Sequence, residues 1–598
     1  MLVSKPEGIM IRVFAQKLVL ASLLLPFAVP GMAQKPSPSA PGNVDGPAEL
    51  PRLHVNSSLA DTPAPGKTRL VHAGDDLGQT LSQAACGDTI KLEAGAVFSG
   101  KFVLPAKNCD DAHWIILRTS APDSALPPEG SRVTPCYAGV ASLPGRPAYA
   151  CAAAKKVLAR IEFPGKGSGP IVFADGANHY RLMGLEITRS DPDGPLTSLI
   201  TIDPKHTASN LVFDRDWIHG TAQSETTRGI ELGGSTNAAI VDSYFTDFHC
   251  IALAGACTDA QAISGGLGPN QMGPYKIEHN FLEASGEVIL FGGGFAAGPP
   301  TDIEIRRNYL FRPMTWMKDS PGFVGSADGH PFIVKNLFEL KNGQRVLFEH
   351  NVLENCWGGF SQEGFGILLT PKNQGDNKCP ECRVLDVTVR YSKIQNVGAG
   401  FQIANVPTAF KAVAKDGGRY SIHDVLVENL DGERFHGNGV LFQINSNKLP
   451  LHDVTIDHVT GLGAKVLFIL GAQVDEPKIA NFTFTNNLVG GRLQIMSPGG
   501  GDKNCAFHPD AQGPAGVFDS CFTDAKVAGN VIVGGSSKWP AKNSLVKNYT
   551  DVGFTAADKD QVHDFRLDSS SKFKKAGTDQ KDVGANLETI EAATKDIQ

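Results

Sequence analysis

One short pattern returns through the middle of the chain, and it limits the possible folds more than any other feature. The pattern is apolar, any, apolar, two variable positions, a polar residue, any, apolar. It reads YKIEHNFL at Tyr275–Leu282, IEIRRNYL at Ile303–Leu310 and VLFEHNVL at Val346–Leu353. Looser copies are LVFDRDWI from Leu211, AAIVDSYF from Ala238, VTVRYSKI from Val387 and FTFTNNLV from Phe482. The sixth position is Asp216, Ser243, Asn280, Asn308, Asn351, Ser392 or Asn487, and successive marks from Asp216 to Ser392 stand 27 to 43 residues apart. Alternation before the mark is the period of a strand with one buried face. Apolar residues resume after a shift of two, which requires a sharp bend with both flanking strands facing inward. Asn suits the left-handed or bridging backbone of such a bend, and stacked Asn side chains can bond along a ladder. Irregular spacing is then loop length, and the pattern predicts a coil of parallel strands stacked about 4.8 Å apart.

A second strand family follows the bends: GIELGG from Gly229, FELKNG from Phe338, GFQIAN from Gly400, LFQINS from Leu441 and RLQIMS from Arg492. Its alternation turns Glu231, Glu339, Gln402, Gln443 and Gln494 outward and predicts one polar column. The segment Asp75–Pro105 opens with a short amphipathic helix pattern, as expected for a cap over the open end of a solenoid. The expected class is therefore an all-β, right-handed parallel β-helix solenoid with an N-terminal cap. A solenoid accommodates 598 residues in one domain. The boundaries read 1–33 signal peptide, 34–67 flexible linker rich in Pro, Ser, Ala and Gly, and 68–118 cap and first strands. They continue as 119–170 disulfide-containing insertion, 171–563 β-helix and 564–598 C-terminal tail.

The N-terminus carries Lys5, Arg12 and Lys17, a short apolar run Leu18–Val29, and small residues at Gly31-Met32-Ala33, the signature of a cleaved export signal. No other stretch is long and apolar enough to span a bilayer, so the mature protein is expected to be secreted or periplasmic and monomeric, without a membrane span. Eleven cysteines agree with an oxidising compartment. Ten fall into near neighbours: Cys86 and Cys109, Cys136 and Cys151, Cys250 and Cys257, Cys379 and Cys382, Cys505 and Cys521. Cys356 is left over, and Cys250 with Cys257 is the firmest expected pair. A net charge of −7 lacks the basic face that nucleic acid requires, so no nucleic-acid partner is expected.

These rungs, over roughly Leu70 to Asn586, resemble the pectate-lyase-like superfamily of right-handed parallel β-helix proteins. The segment GTDQKDVGAN at Gly577–Asn586 resembles the closing tail of secreted bacterial members. The paired Asp, Gly-His-Gly and Arg-Ile-Lys motifs of polygalacturonase-like glycosidases are absent. Chondroitinase-B-like and alginate lyases are more similar. They present a Gly-Glu segment that supplies a calcium ligand, then a strand bearing a catalytic Lys, then an Asn-marked rung. Here Gly286-Glu287 and FELKNGQRVLFEHN with Lys341 match those parts, with a further rung between them. The resemblance implies a polysaccharide partner, a Ca2+ cofactor and β-elimination.

Elimination on a uronic-acid polymer needs a cation for the carboxylate, a base for the C5 proton and an acid for the leaving oxygen. The expected catalytic residues are Lys341 or Arg307 as base, with Glu339 beside them. Glu287 and Asp259 are the expected metal ligands, since calcium takes several oxygens. Trp316, Trp357, Lys335, Arg345 and Gln261 are the expected substrate contacts. A hydrolase built on Glu283 and Glu287 is a further possibility. The structural reading runs alongside: Glu278, Arg306, Glu349 and Arg390 precede successive marks with alternating sign, as cross-rung ion pairs would, and Trp residues commonly anchor cores. A non-catalytic carbohydrate-binding or surface-adhesion β-helix is the alternative function.

Overall fold

The computed structural model describes residues 43–190, 194–374, 376–408, 412–499, 501–508, 511–536 and 538–597. The expected export signal and the first part of the expected linker lie outside them. The described chain winds as an all-β parallel β-helix, in the right-handed sense of parallel crossovers. Each coil has three faces, and in later coils one strand, such as Arg383–Val397, runs through the first two. The first face holds the strands before the mark, such as Tyr275–Glu278, Thr301–Arg306 and Gly343–Glu349. The second face holds those after it, such as Phe281–Ala284, Tyr309–Phe311 and Val352–Cys356. The third face stacks Gly167–Phe173, Leu196–Ile202, Thr226–Glu231, Gln261–Gly265, Ile289–Phe291, Phe338–Leu340, Phe365–Leu369, Ala399–Asn405 and Val440–Ser446.

Register follows the repeat. Ile240, Ile277, Ile305, Phe348 and Val389 pair in succession on the first face, and Ile263, Ile289, Phe338, Ile367, Phe401, Phe442 and Phe468 on the third. All are buried in one continuous core. Stacking brings like against like, and Phe401, Phe442 and Phe468 lie ring over ring at 5.5 and 5.6 Å.

The marks form the expected ladder. Oδ1 of Asn308 accepts from Asn280 N and Nδ2 at 3.0 Å each, and Oδ1 of Asn351 accepts from Asn308 N at 2.8 Å and Nδ2 at 3.1 Å. Ser243 and Ser392 continue it on either side. The bend itself differs from the expectation. The left-handed backbone sits one residue earlier, at Asp242, His279, Arg307, His350 and Tyr391, with φ between 47° and 58°. The preceding residue turns the chain, while the mark points inward and satisfies the amides that the turn frees.

Glu278, Arg306, Glu349 and Arg390 pair across rungs. Glu349 bridges Arg306 at 3.2 Å and Arg390 at 2.8 Å, so this series is structural. The expected polar column is mixed: Glu231, Ser264, Leu290, Glu339, Leu368, Gln402, Gln443, Ile469 and Met496 succeed one another. Gln494 falls outside it and accepts from Trp539 Nε1 at 3.1 Å.

The helix Leu77–Gln83 caps the first coils through Leu77 and Leu81. Residues 43–67 are not a loose linker. They run as a strap down the first face, because successive rungs offer it partners. Asp45 meets Arg390 at 2.6 Å and His423 at 3.1 Å, Glu49 N donates to Asp386, Arg52 N to Asp302, and Arg181 donates to Ser57 O and Thr62 Oγ1. The tail packs outside the coil, with Asn586 N donating to Asp424 and His458 meeting Gly584 O. All five neighbouring cysteine pairs, Cys250–Cys257 included, are disulfides, and Cys356 is a free buried thiol. Among the described residues no helix is long and apolar enough to cross a membrane.

Candidate functional site

The third face carries a compact cluster of charge where its strands begin. Two inward residues follow each other at each of these corners: Ala262 with Ile263, Val288 with Ile289, Leu337 with Phe338. The residue before each pair, Gln261, Glu287 or Asn336, therefore turns outward on three neighbouring coils. Glu339 and Lys341 follow on the last of these coils, outward on either side of buried Leu340. The excursion 312–337 ends beside them and delivers Lys335. Gly292 makes room: at φ 99°, a Cβ there would meet Asn342 and Lys341 within 3.0 Å.

The cluster is dense and covered. Gln261 Nε2 donates to Glu287 Oε2 at 2.9 Å, and Asn336 Nδ2 donates to Glu339 Oε2 at 2.8 Å. Lys335 Nζ bridges Asp259, in a short contact, and Glu287 at 3.4 Å. Lys341 Nζ lies 3.6 Å from Glu339 Oε1, with 14% of its side chain exposed. Gln261 Oε1, Glu287 Oε1 and Asn336 Oδ1 are buried acceptors without a hydrogen bond. Buried acceptors of this kind are normally matched, so these oxygens are the ones that could accept from a donor or hold a cation.

Electrostatics divides these groups. Burial, with the Asp259 carboxylate adding to it, pushes Glu287 up to about 7. Burial alone would raise Asp259, but the Lys335 charge wins and holds it low. Burial also opposes charge on Lys341, yet Glu339, Glu287 and Asp259 outweigh it and raise its pKa. Lys335 is raised in the same way, by Glu287 and Asp259. Lys372 goes the other way: burial lowers it, Glu339 only partly restores it, and Lys341 pushes it down again. Its backbone N donates to Lys341 O at 3.0 Å, which ties it to the cluster.

Six residues of this cluster stood out in the sequence. The structure brings Asp259, Gln261, Glu287, Lys335, Glu339 and Lys341 into one cluster. Asn336, adjacent to Lys335 in the chain, joins them unannounced. Lys372 gave no signal, since it follows Pro371 in a loop outside both strand families.

The other expected residues lie elsewhere. Arg307 is at a left-handed corner between the first and second faces, lining a cavity with His279 and Tyr309, and so is not beside Lys341. Arg345 is committed to Asp302, at 2.7 and 2.9 Å, at another left-handed corner. Trp316 is 1% exposed and packs with Phe332, Trp357 and Phe435, so neither Trp offers a sugar platform. The Arg312 guanidinium lies 5.4 Å over Trp357. Glu283 is held by Arg146 at 2.7 and 2.8 Å, on the second face, and forms no carboxylate pair with Glu287. Both Arg307 and Arg345 fall where the coil needs a turn, which explains their placement without a substrate.

No known family model and no curated protein matches this chain. Solved structures do. A mannuronic acid specific polysaccharide family 6 lyase from human gut microbiota is 12% identical, over 80% of this chain and 91% of its own, with a TM-score of 0.48. An alginate lyase from Paenibacillus sp. str. FPU-7 is 14% identical over 73% and 96%, with a TM-score of 0.30. Pectate lyase Pel9A is 11% identical over 88% and 97%, with a TM-score of 0.36. At these values the assignment of fold stands on the coil geometry alone.

Proposed function

We propose that this chain is a secreted polysaccharide lyase that cleaves a uronic-acid polymer by β-elimination on the third face. One observation carries the reading: the Glu339 charge acts on both Lys341, 3.6 Å away, and Lys372, whose backbone N donates to Lys341 O and whose Nζ donates to Val406 O, while their surroundings push their proton affinities apart. Two titratable groups tuned in opposite directions are what an acid and a base at one site require. The sequence suggests Lys341 as base. Its raised affinity instead suits a proton donor, and Lys372 suits the acceptor.

The reaction then runs in balance. Lys372 Nζ takes the C5 proton, the released electron pair forms the C4=C5 bond, the C4–O bond breaks, and the leaving oxygen takes a proton from Lys341. The oxygens of Gln261 and Asn336 that lack a hydrogen bond, with the Glu287 and Glu339 carboxylates, fit a calcium ion, which favours several oxygen ligands. Bound there, Ca2+ would neutralise the uronate carboxylate and acidify C5. Lys335 holds Asp259 and Glu287 together at the edge of that position. Five disulfides support an oxidising, extracytoplasmic location.

The test is to incubate the protein, with and without Ca2+, with alginate, polygalacturonate and glycosaminoglycans, and to follow ultraviolet absorbance from the new C4=C5 bond. Unsaturated ends from at least one polymer are expected. Saturable binding without any unsaturated product would replace this reading with the carbohydrate-binding one.

A further inference from the structure

A second cavity lies on the other side of the coil and takes no part in the cluster above. It has a volume of about 450 Å3, within the ~300–1,000 Å3 range of small-molecule sites. Its floor is the second face: Tyr244 and Phe281 stack on adjacent rungs at 4.2 Å between centroids, and Tyr309 closes edge-on to Phe281. Its roof is the insertion around Cys136–Cys151, which contributes Arg132, Thr134 and Tyr149.

The roof residues make it a site. Arg132 Nη2 donates to Ile597 O at 2.9 Å, but its Nε and Nη1 are buried with no partner. Thr134 Oγ1 is buried without a partner as well. No carboxylate forms an ion pair with Arg132 among the described residues. Nearby, Asp242 is engaged by His279 at 2.6 Å and by Gly130 N, Asp596 stands at the lining, and Arg307 adds a second cation. A buried guanidinium with free N–H groups is costly unless an anion meets it. Burial also lowers its pKa, as expected of a charge that lacks a counterion.

We propose that this cavity binds a sugar acid, with its carboxylate on the free N–H groups of Arg132, a ring hydroxyl on Thr134 Oγ1 and its ring against Tyr149 and Tyr244. A guanidinium recognises the carboxylate. The aromatic wall accepts a ring, and the free hydroxyl selects a hydroxylated one. The assignment does not depend on catalysis at the third face, because the two sites share no residue.

Calorimetric titration of the full chain with glucuronate tests it, with glucose and sulfate as the neutral and simple-anion probes. Saturable glucuronate binding is expected, at least about tenfold tighter than sulfate or glucose, since a hydrogen bond to a charged group contributes about 1.5–3 kcal/mol. Arg132→Gln and Thr134→Val should each weaken it, the former by about tenfold or more, while Lys372→Ala and Lys341→Ala leave it unchanged. The ligand-free Arg132→Gln protein should melt no lower than the parent, because an unpaired buried charge is removed. If that variant does not fold, Thr134→Val decides. Absence of saturable glucuronate binding, equal binding of sulfate, or glucuronate affinity untouched by both roof variants would overturn the proposal. Loss of binding with Lys341→Ala would assign the ligand to the third face instead.

Discussion

Lys341, one residue past the strand Phe338–Leu340, and Glu339 within it stand 3.6 Å apart, and neither is free in solvent. Lys341 is thus coupled to a buried acidic group and is not a surface lysine. Lys341→Ala should lower activity by about 10²–10⁴-fold, the usual worth of general acid–base catalysis. It should also cost ~1–3 kcal/mol in urea denaturation, because Glu339 Oε1 loses its cation and only the Asn336 bond to Oε2 remains. A variant that keeps full activity would remove Lys341 from the mechanism.

Lys372 supplies the sharper discrimination. With its proton affinity lowered and that of Lys341 raised, kcat should rise with pH as Lys372 deprotonates and fall as Lys341 does. Lys372→Arg keeps the charge but cannot act as base near neutrality, so it should lose ~10²–10⁴-fold and abolish the rising limb. A pH–rate profile with that limb intact would assign the base elsewhere.

Glu287 makes stability depend on pH in a defined direction. Its acid form is favoured up to about 7 in the folded protein, against 4.5 ordinarily. The folded state therefore holds more protons across that window, and stability falls as pH rises through it. Glu287→Gln should flatten this slope and raise the melting temperature at pH values above the window. Added Ca2+ should raise the melting temperature of the parent more above the window than below it, and that difference should vanish in Glu287→Gln. An equal calcium shift in both proteins would exclude Glu287 as a ligand.

The strap is pH-sensitive in its own way. Burial disfavours charge on both Asp45 and His423, but pairing wins. His423, with Asp424 and Asp45, is raised to about 9, and Asp45, with His423 and Arg390, is lowered to about 2. The His423 contribution is complete below its ordinary value of 6.5 and is lost as pH rises through 9. The Asp45 contribution is complete above 3.8 and is lost as pH falls through 2. Asp45→Asn should speed hydrogen exchange across residues 43–50 at pH 6, and less so at pH 10, where His423 is already neutral.

The ladder offers a purely structural test. Asn308→Ala would take the side-chain acceptor from the buried Asn280 N and the side-chain donor from Ile277 O, while Asn280 Nδ2 keeps Ile240 O. A loss of ~2–5 kcal/mol is expected in chemical denaturation, whereas Lys101→Ala, on the exposed surface, should stay within about 0.5 kcal/mol.

The coil was readable because its information is periodic: Ile240, Ile277, Ile305 and Phe348 each sit in a copy of one motif, and Asn280, Asn308 and Asn351 mark its bend. The site was partly readable because Glu287, Glu339 and Lys341 lie on or next to those strands. What escaped depends on partners distant in sequence. Leu290 and Leu368 interrupt the polar column because both are buried, Leu368 against Phe365, Ala399, Val440 and Val466 of the same face. Arg307 resembled a catalytic residue because a left-handed corner displays its side chain. Asn336 gains meaning only from Glu339 beside it, Lys372 only from the fold of its loop, and Arg132 only from the rungs beneath the insertion.

The strap that begins at Asp45 has a consequence for how the molecule comes apart. In a solenoid each coil normally touches only its neighbours, so an end can fray while the middle persists. Here residues 378 positions apart, Asp45 and His423, are bonded, as are Glu49 and Asp386, 337 apart. The first described segment cannot find its seat until late coils have wound, which makes its docking a closing step of assembly, with a large loop-closure entropy. Once seated, it lies across many rungs as a stave lies across hoops. A late coil then cannot unwind without first releasing an early segment, and the stack should melt as one cooperative body.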